Sequence, residues 1–257
     1  MSFYLPEYTE CLEIIESNPK MYFYESNFII NSYDLSIFGY RHATYNNFKL
    51  PIIDKPNINA LELKGLSFTF NDDGSLFRRN LMLSKFWELD QYKHCVLDKF
   101  IDKPIKNITE KLDGFLLTFI MLPDGSITSQ TKKGFYTKTN VSGNKYLENP
   151  KYYKFIESCL LQNKQPIFEL IGEKLYVEYD YEDMVLLKLR CNKTGKYLDI
   201  KDIDEVPIVN EYSYSLTDIL ELKKDVENKE GWILHFEDDD TMLKIKTDWW
   251  VNEKRNA

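Results

Sequence analysis

Apolar positions along the chain follow two rhythms, and the two-residue rhythm of strands is the commoner. Helical spacing appears over residues 6–18, with Cys11, Ile14 and Ile15 on one side and Glu7, Glu10, Glu13 and Glu16 elsewhere. It appears again over 152–162, with Phe155, Cys159 and Leu160 on one face, and over 216–228, where Ser215 can cap the first turn. Alternating or β-branched runs predict strands within 21–40 and at 61–70, 115–122, 167–171, 184–191, 232–236 and 242–246. Asp73-Gly74 follows the run at 61–70 as a turn, and Pro123-Asp124-Gly125-Ser126 closes the one at 115–122. Hairpin-length connections outnumber crossover helices, so the expected class is α+β with mostly antiparallel sheets.

Composition changes the picture in one respect. The 257 residues carry 33 Lys and Arg against 41 Asp and Glu, for a formal charge of −8, and 43% are hydrophobic, ample for a core. Overall acidity argues against a nucleic-acid partner, but the acidity is local. Residues 202–240 hold 13 acidic residues against three lysines, which leaves the other 218 residues at +2. Within those, 128–154 carries Lys132, Lys133, Lys138, Lys145, Lys151 and Lys154 against Glu148, interleaved with Phe135, Tyr136, Tyr146, Tyr152 and Tyr153. Ammonium groups neutralise phosphates and aromatic faces stack on unpaired bases, so the mixture suits a single nucleic-acid strand. It equally suits a solvated face whose tyrosines cover the core. The longest apolar run, 115–122, is far short of the roughly 20 residues that span a bilayer, and the amino end shows no basic-then-apolar leader. Cys11, Cys95, Cys159 and Cys191 form no C-x-x-C, and His42, His94 and His235 form no close cluster. A soluble cytoplasmic protein without a structural zinc or a disulfide framework is expected.

Candidate chemistry centres on Lys111-Leu112-Asp113-Gly114, immediately before the run at 115–122. Asp-Gly is also ordinary hairpin chemistry, as Asp73-Gly74 and Asp124-Gly125 read. Yet a lysine at the start of a strand can face a pocket, and glycine lets the backbone approach a nucleotide closely. A lysine attacks only when deprotonated, which from an ordinary pKa of about 10.4 requires burial or neighbouring cations. Lys244-Ile245-Lys246 places two ammonium groups on one strand face opposite Ile245, although a solvated face has the same pattern. Glu230-Gly231 enters a strand 14 residues before Lys244. Glu169 sits within an apolar strand, where a carboxylate needs a partner, a ligand or an edge position.

Taken in order, Lys111-x-Asp113-Gly114, Phe168-Glu169-Leu170, Glu230-Gly231 and Lys244-Ile245-Lys246 resemble the successive motifs of the covalent nucleotidyltransferases: ATP-dependent RNA and DNA ligases and mRNA capping enzymes. Leu61-Glu62-Leu63-Lys64-Gly65-Leu66-Ser67-Phe68, Lys85-Phe86-Trp87-Glu88-Leu89, Lys133-Gly134 and Leu243-Lys244-Ile245-Lys246-Thr247-Asp248-Trp249-Trp250-Val251 are similar to the bacteriophage RNA ligase 1 (tRNA-repair) family, from about residue 20 onward. The resemblance implies an α+β nucleotidyltransferase fold, ATP-grasp-like, of antiparallel sheets with flanking helices and a nucleotide pocket between sheets. It implies one RNA ligase adenylyltransferase domain over 1–257, with an N-terminal extension over about 1–60; no C-terminal OB-fold or helical specificity domain is expected, and the lack of the phage ligase's helical domain is a departure from that family. ATP, Mg²⁺ or Mn²⁺, and RNA with 5′-phosphate and 3′-hydroxyl ends are the implied cofactors and partners of a monomer that meets no membrane.

By the same resemblance, Lys111 attacks the α-phosphate of ATP and forms lysyl-AMP. AMP then passes to an RNA 5′-phosphate, and a 3′-hydroxyl displaces it to seal the strand, as in RNA or tRNA repair. Lys244 and Lys246 would hold the α-phosphate, Glu230 would serve the metal or its waters, and Glu169 would bond the ribose. Asp113 and Gly114 would border the nucleotide, while Lys64, Lys85 and Lys133 would approach it or the leaving pyrophosphate. Lys64 departs from the family's arginine, and an ammonium cannot make the bidentate grip of a guanidinium. Arg78-Arg79-Asn80-Leu81 lacks the family's Arg-Pro pair, and the 11 residues after Lys246 cannot make an OB-fold. Two alternatives stay open at this level: a nucleic-acid-binding relative that has lost ligation, and a capping-type nucleotidyltransferase.

Overall fold

The computed structural model describes residues 4–41, 60–172, 175–237 and 241–256, with the backbone alone for 23–27. His42, residues 238–240 of the acidic stretch and 42–59 of the expected extension lie outside the described residues. In chain order the helices and strands are α1 (Tyr8–Ser17), β1 (Tyr22–Ile30), β2 (Tyr33–Tyr40), β3 (Leu66–Phe70), β4 (Leu76–Asn80), β5 (Trp87–Glu88), β6 (Ile105–Lys111), β7 (Phe115–Met121) and β8 (Ile127–Thr131). There follow α2 (Lys138–Lys145), α3 (Pro150–Leu161), β9 (Lys164–Ile171), β10 (Asp183–Cys191), β11 (Tyr197–Leu198), β12 (Glu211–Tyr212), α4 (Leu216–Asp225), β13 (Gly231–Phe236), β14 (Met242–Lys246) and α5 (Asp248–Asn256). The class is α+β, and every sheet contains antiparallel pairs.

The chain folds as two compact units, and it leaves and re-enters each of them. The first comprises Met1–Lys85, Leu116–Phe168 and Leu186–Val206. It contains the antiparallel sheet β1-β2-β3-β4 and most of a second sheet ordered β11-β10-β9-β7-β8. Leu35 and Ile37 of β2 meet Ile120 of β7, Leu122 and Phe135 in one buried cluster. α1 seals the outer side, with the Tyr8 ring edge-on to Phe38, Phe68 and Phe70 at 5.2–5.7 Å. The second unit comprises Phe86–Phe115, Glu169–Val185 and Pro207–Ala257. Its sheet runs β12-β6-β13-β14-β5, antiparallel except where the two-residue β5 joins β14 in parallel. Trp232, Leu234, Phe236, Leu243 and Ile245 are buried in it, and α4 and α5 pack together beside β14.

Local signals account for most of these elements. Ser215 caps α4 by accepting from the Asp218 amide, while the Asp218 carboxylate accepts from the Ser215 amide. The helix ends at Asp225, short of the expected 228. The short strands β5, β11 and β12 and the helix α5 are not predicted from the sequence, and two longer-range cases, α2 and β6, have an identifiable reason. α2 (Lys-Thr-Asn-Val-Ser-Gly-Asn-Lys) is built from poor helix formers and is held from outside. Thr137 caps it with Asn140, and the Asn140 amide donates to the Ser129 carbonyl at 2.9 Å. Asn140→Ala removes both bonds from a buried position and is expected to cost about 2 kcal/mol in urea unfolding. β6 escapes because its apolar face is thin. Only Ile108 and Thr109 are buried in it, and its place comes from pairing with β12 and β13 on either side.

Candidate active site

In the second unit, strand register assembles the lysines. Lys111 at the end of β6 pairs with Gly231 of β13, and Gly231 pairs with Lys246 of β14. Directly paired residues share a sheet face, so Lys111 and Lys246 project to the same side across a residue with no side chain. Lys244 lies on that face two residues along, in the row Thr109, Ile233, Lys244. Ile245 is buried on the other side, and the two lysines flanking it are half-buried.

Besides the cations expected from sequence, Lys111 has a carboxylate as its direct partner. Its Nζ donates to Glu230 Oε2 at 2.5 Å. Glu230 is 5% exposed. Burial pushes its carboxyl above the ordinary carboxylate range, with the Lys111 ammonium pulling the other way. Lys246 is also paired, to Glu88 of β5 at 2.9 Å, and its ammonium lies 4.7 Å from the centre of the Trp250 ring. Glu88 joins the candidate site through this pair, and sequence reasoning passed over it. It belongs to the quoted segment 85–89, but its partner follows only from the parallel pairing that sets it against Lys244.

Asp113 and Gly114 have structural work of their own. Asp113 Oδ2 accepts from the amides of Tyr176 and Val177 at 3.0 and 3.1 Å, and the Asp113 amide donates to the Tyr179 hydroxyl at 2.8 Å. Tyr179 lies largely inside, and burial pushes its hydroxyl above the ordinary range. Asp113→Ala would strand two amides and is expected to cost about 1–3 kcal/mol, read by denaturant unfolding. A Cβ at Gly114 would come within 2.5 Å of the Leu170 carbonyl oxygen and 2.7 Å of Glu169 Cγ. The close approach that requires glycine there is therefore made by the chain itself, and it sets Glu169 beside the Lys111 turn. Glu169 is half-buried, as a carboxylate in contact with other groups should be.

Lys64, Lys85 and Lys133 belong to the first unit. Lys64 and Lys85 are half-buried and Lys133 is exposed. The Lys85 amide donates to the Leu61 carbonyl at 2.7 Å, which ties the two lysine-bearing segments together. Gly65 takes φ +86°, a left-handed conformation suited to glycine, and a Cβ there would meet Lys132 Cα at 2.6 Å. The turn of Lys64 thus lies against the turn of Lys132 and Lys133.

The basic, aromatic segment at 128–154 divides. Phe135 and Tyr152 are core residues and cannot stack on a base, whereas Tyr136 is 65% exposed. The six lysines are exposed. A cavity of about 500 Å³ opens at Lys151, Lys154 and Lys164, facing Asp202 and Glu205, and none of the motif lysines lines it. Among the described residues no group of three or more His, Cys, Asp or Glu is arranged to hold a metal, all four cysteines are unbridged, and no helix is long and apolar enough to cross a membrane.

The fold is that of solved RNA ligases. The structure superposes on a solved archaeal ATP-dependent RNA ligase (form 2) with a TM-score of 0.62 and 14% identity, over 95% of this chain and 62% of that one. A second, a point mutant of the Naegleria gruberi RNA ligase with ATP and Mn, gives a TM-score of 0.50 and 18% identity, over 67% of this chain and 59% of that one. In sequence the chain is 25% identical over 234 residues to a Thermovibrio ammonificans protein described as "Putative RNA ligase", covering 86% of this chain and 58% of that protein. The chain thus spans about three fifths of the length of these relatives. No protein-family model matches it.

Proposed function

We propose that the chain is an ATP-dependent RNA ligase that works through a lysyl-AMP intermediate. The observation that carries this reading is the row Lys111, Gly231, Lys246 with Glu230 bonded to the Lys111 Nζ. It offers a nucleophile, a second cation on the same face and a carboxylate in contact with the nucleophile's proton. The likeness to RNA ligases in fold and sequence supports the same reading.

In the first step the Lys111 Nζ bonds to the α-phosphorus of ATP, the bond to the bridging oxygen breaks, and pyrophosphate leaves. The nitrogen must shed a proton, and Glu230 is the acceptor in contact with it. Lys246 and Lys244 neutralise charge building on the α-phosphate oxygens. The motif resemblance gives Lys64, Lys85 and Lys133 an approach to the nucleotide or its leaving pyrophosphate, and gives Glu169 the ribose. AMP then moves to the 5′-phosphate of an RNA end, and a 3′-hydroxyl displaces it. A divalent ion, Mg²⁺ or Mn²⁺, supplies charge neutralisation at the phosphates when bound. Glu230 is the carboxylate that would hold such an ion or its waters, since magnesium is held through one or two carboxylates together with substrate phosphates and water. Repair of RNA, tRNA included, is the role we infer, and the cell interior is where ATP and such RNA meet.

The test is the intact mass of purified protein, freed of bound nucleotide and then incubated with ATP and Mg²⁺. A gain of one AMP is expected with ATP and not with GTP. No gain would favour a binding protein that has lost ligation, and a gain of GMP would favour the capping-type alternative.

A further inference from the structure

Arg190 of β10 is fully buried, and so is its partner Glu62 in the turn before β3. The guanidinium forks onto the carboxylate, with Nη1 to Oε2 and Nη2 to Oε1 both at 2.7 Å. Its remaining donors reach two further segments: Nη1 donates to the Met82 carbonyl and Nε to the Gly195 carbonyl, each at 2.7 Å. The face of the guanidinium lies 4.9 Å from the centre of the Tyr197 ring, and the Tyr197 hydroxyl accepts from the Ser84 amide at 3.1 Å. One side chain therefore gathers the turn that carries Lys64, the segment that carries Lys85, and the β10–β11 hairpin. Lys64 is two residues from Glu62 and its amide donates to the Glu62 carbonyl, while Lys85 is three residues from Met82 and bonds to Leu61.

A buried ion pair is a poor device for stability alone, since desolvation roughly cancels the attraction and apolar residues of similar volume often serve as well. What apolar residues cannot supply is direction. Five donors in a rigid plane fix the angle and register of each backbone they hold.

We propose that Glu62 and Arg190 are positioning residues that hold Lys64 and Lys85 in the geometry needed to grip the β- and γ-phosphates of ATP. This rests on the ligase reading above. It predicts a selective defect. Self-adenylylation uses the triphosphate and expels pyrophosphate, whereas sealing an RNA that already carries 5′-AMP involves neither. Disturbing the pair should impair the first reaction and spare the second.

The experiment compares wild type with the apolar pair Glu62→Leu/Arg190→Met, and with Glu62→Gln and Arg190→Lys singly. Each is measured for thermal unfolding, for KM and kcat of ATP-dependent self-adenylylation, and for sealing of chemically pre-adenylylated RNA. We expect the apolar pair, which leaves the Met82 and Gly195 carbonyls without their donor, to melt some degrees below the wild type but to seal pre-adenylylated RNA within about twofold of it at temperatures where both are folded, while KM for ATP rises about tenfold or more. Should the apolar pair fail to fold, the same split is expected in Glu62→Gln, which keeps the shape and loses the charge, and in Arg190→Lys, which keeps the charge and loses the fork. An unchanged KM in variants that fold would overturn the proposal, as would equal loss of both reactions. A wild type that neither takes up AMP nor seals pre-adenylylated RNA would instead remove the ligase reading itself, and the positioning role with it.

Discussion

Lys111→Ala will take up no AMP from ATP, a fall of at least about 10³-fold in the transfer rate, because the other lysine of the row, Lys246, is tied to Glu88. The fold should survive. Lys111 stands at the end of β6 and is half-buried, and the ladder to Gly231 is made by backbone. Glu230 loses its ion pair in this variant, and burial already pushes its carboxyl up, so it can take a proton rather than stay charged without a partner. The melting temperature is therefore expected to fall by only a few degrees. Intact mass after incubation with ATP and Mg²⁺ checks the first claim, and a thermal scan checks the second. AMP bound covalently to a folded Lys111→Ala protein would sink the assignment of the nucleophile.

Gly231→Ala is expected to have the largest effect on stability of any single methyl added to the second unit. A Cβ at that position would lie 2.0 Å from the Ile245 carbonyl oxygen and 2.8 Å from Lys246 Cα, and the backbone sits at φ +150°. Both contacts are with backbone, so no side chain can swing aside, and β13 and β14 must separate where Gly231 pairs with Lys246. We expect a loss of about 3 kcal/mol or more, read as a melting temperature lower by about 5–10 °C. AMP transfer should fall with it even below the melting point, because the separation moves Lys246 relative to Lys111. Wild-type melting and wild-type transfer in this variant would show that the row of residues is not what holds the two lysines in place.

Much of the architecture was legible because it is encoded locally. The hairpin β7–β8 follows from an apolar run ended by Asp124-Gly125, and α4 follows from apolar spacing with a serine cap. α2 was not legible, since its own residues disfavour a helix and what holds it is a pair of asparagines bonded to another strand. In the site, the alternation of Lys244, Ile245 and Lys246 was readable from three adjacent letters. The partner of Lys111 was not: Glu230 is 119 positions away, and nothing local records which strands become neighbours. The two flanking cations expected from the sequence share the face of Lys111, but the carboxylate that meets its Nζ was not foreseen, and Glu88 went unassigned because β5 is two residues long and its role depends on a parallel pairing.

By itself the sequence determined which residue types were at hand: the lysines, the carboxylates and the glycines at turns, in an order that resembles the nucleotidyltransferase motifs. It also determined the α+β class, because period and turn chemistry act over a few residues. Only the tertiary structure decided who meets whom. It showed that Asp113 spends its carboxylate on the 176–177 backbone, that the space beside Gly114 belongs to Leu170 and Glu169, and that Glu62 and Arg190 bind the turns of Lys64 and Lys85. Register and burial are properties of the assembled sheet, and a side chain's partner is set by strands that the chain brings together from more than a hundred residues apart.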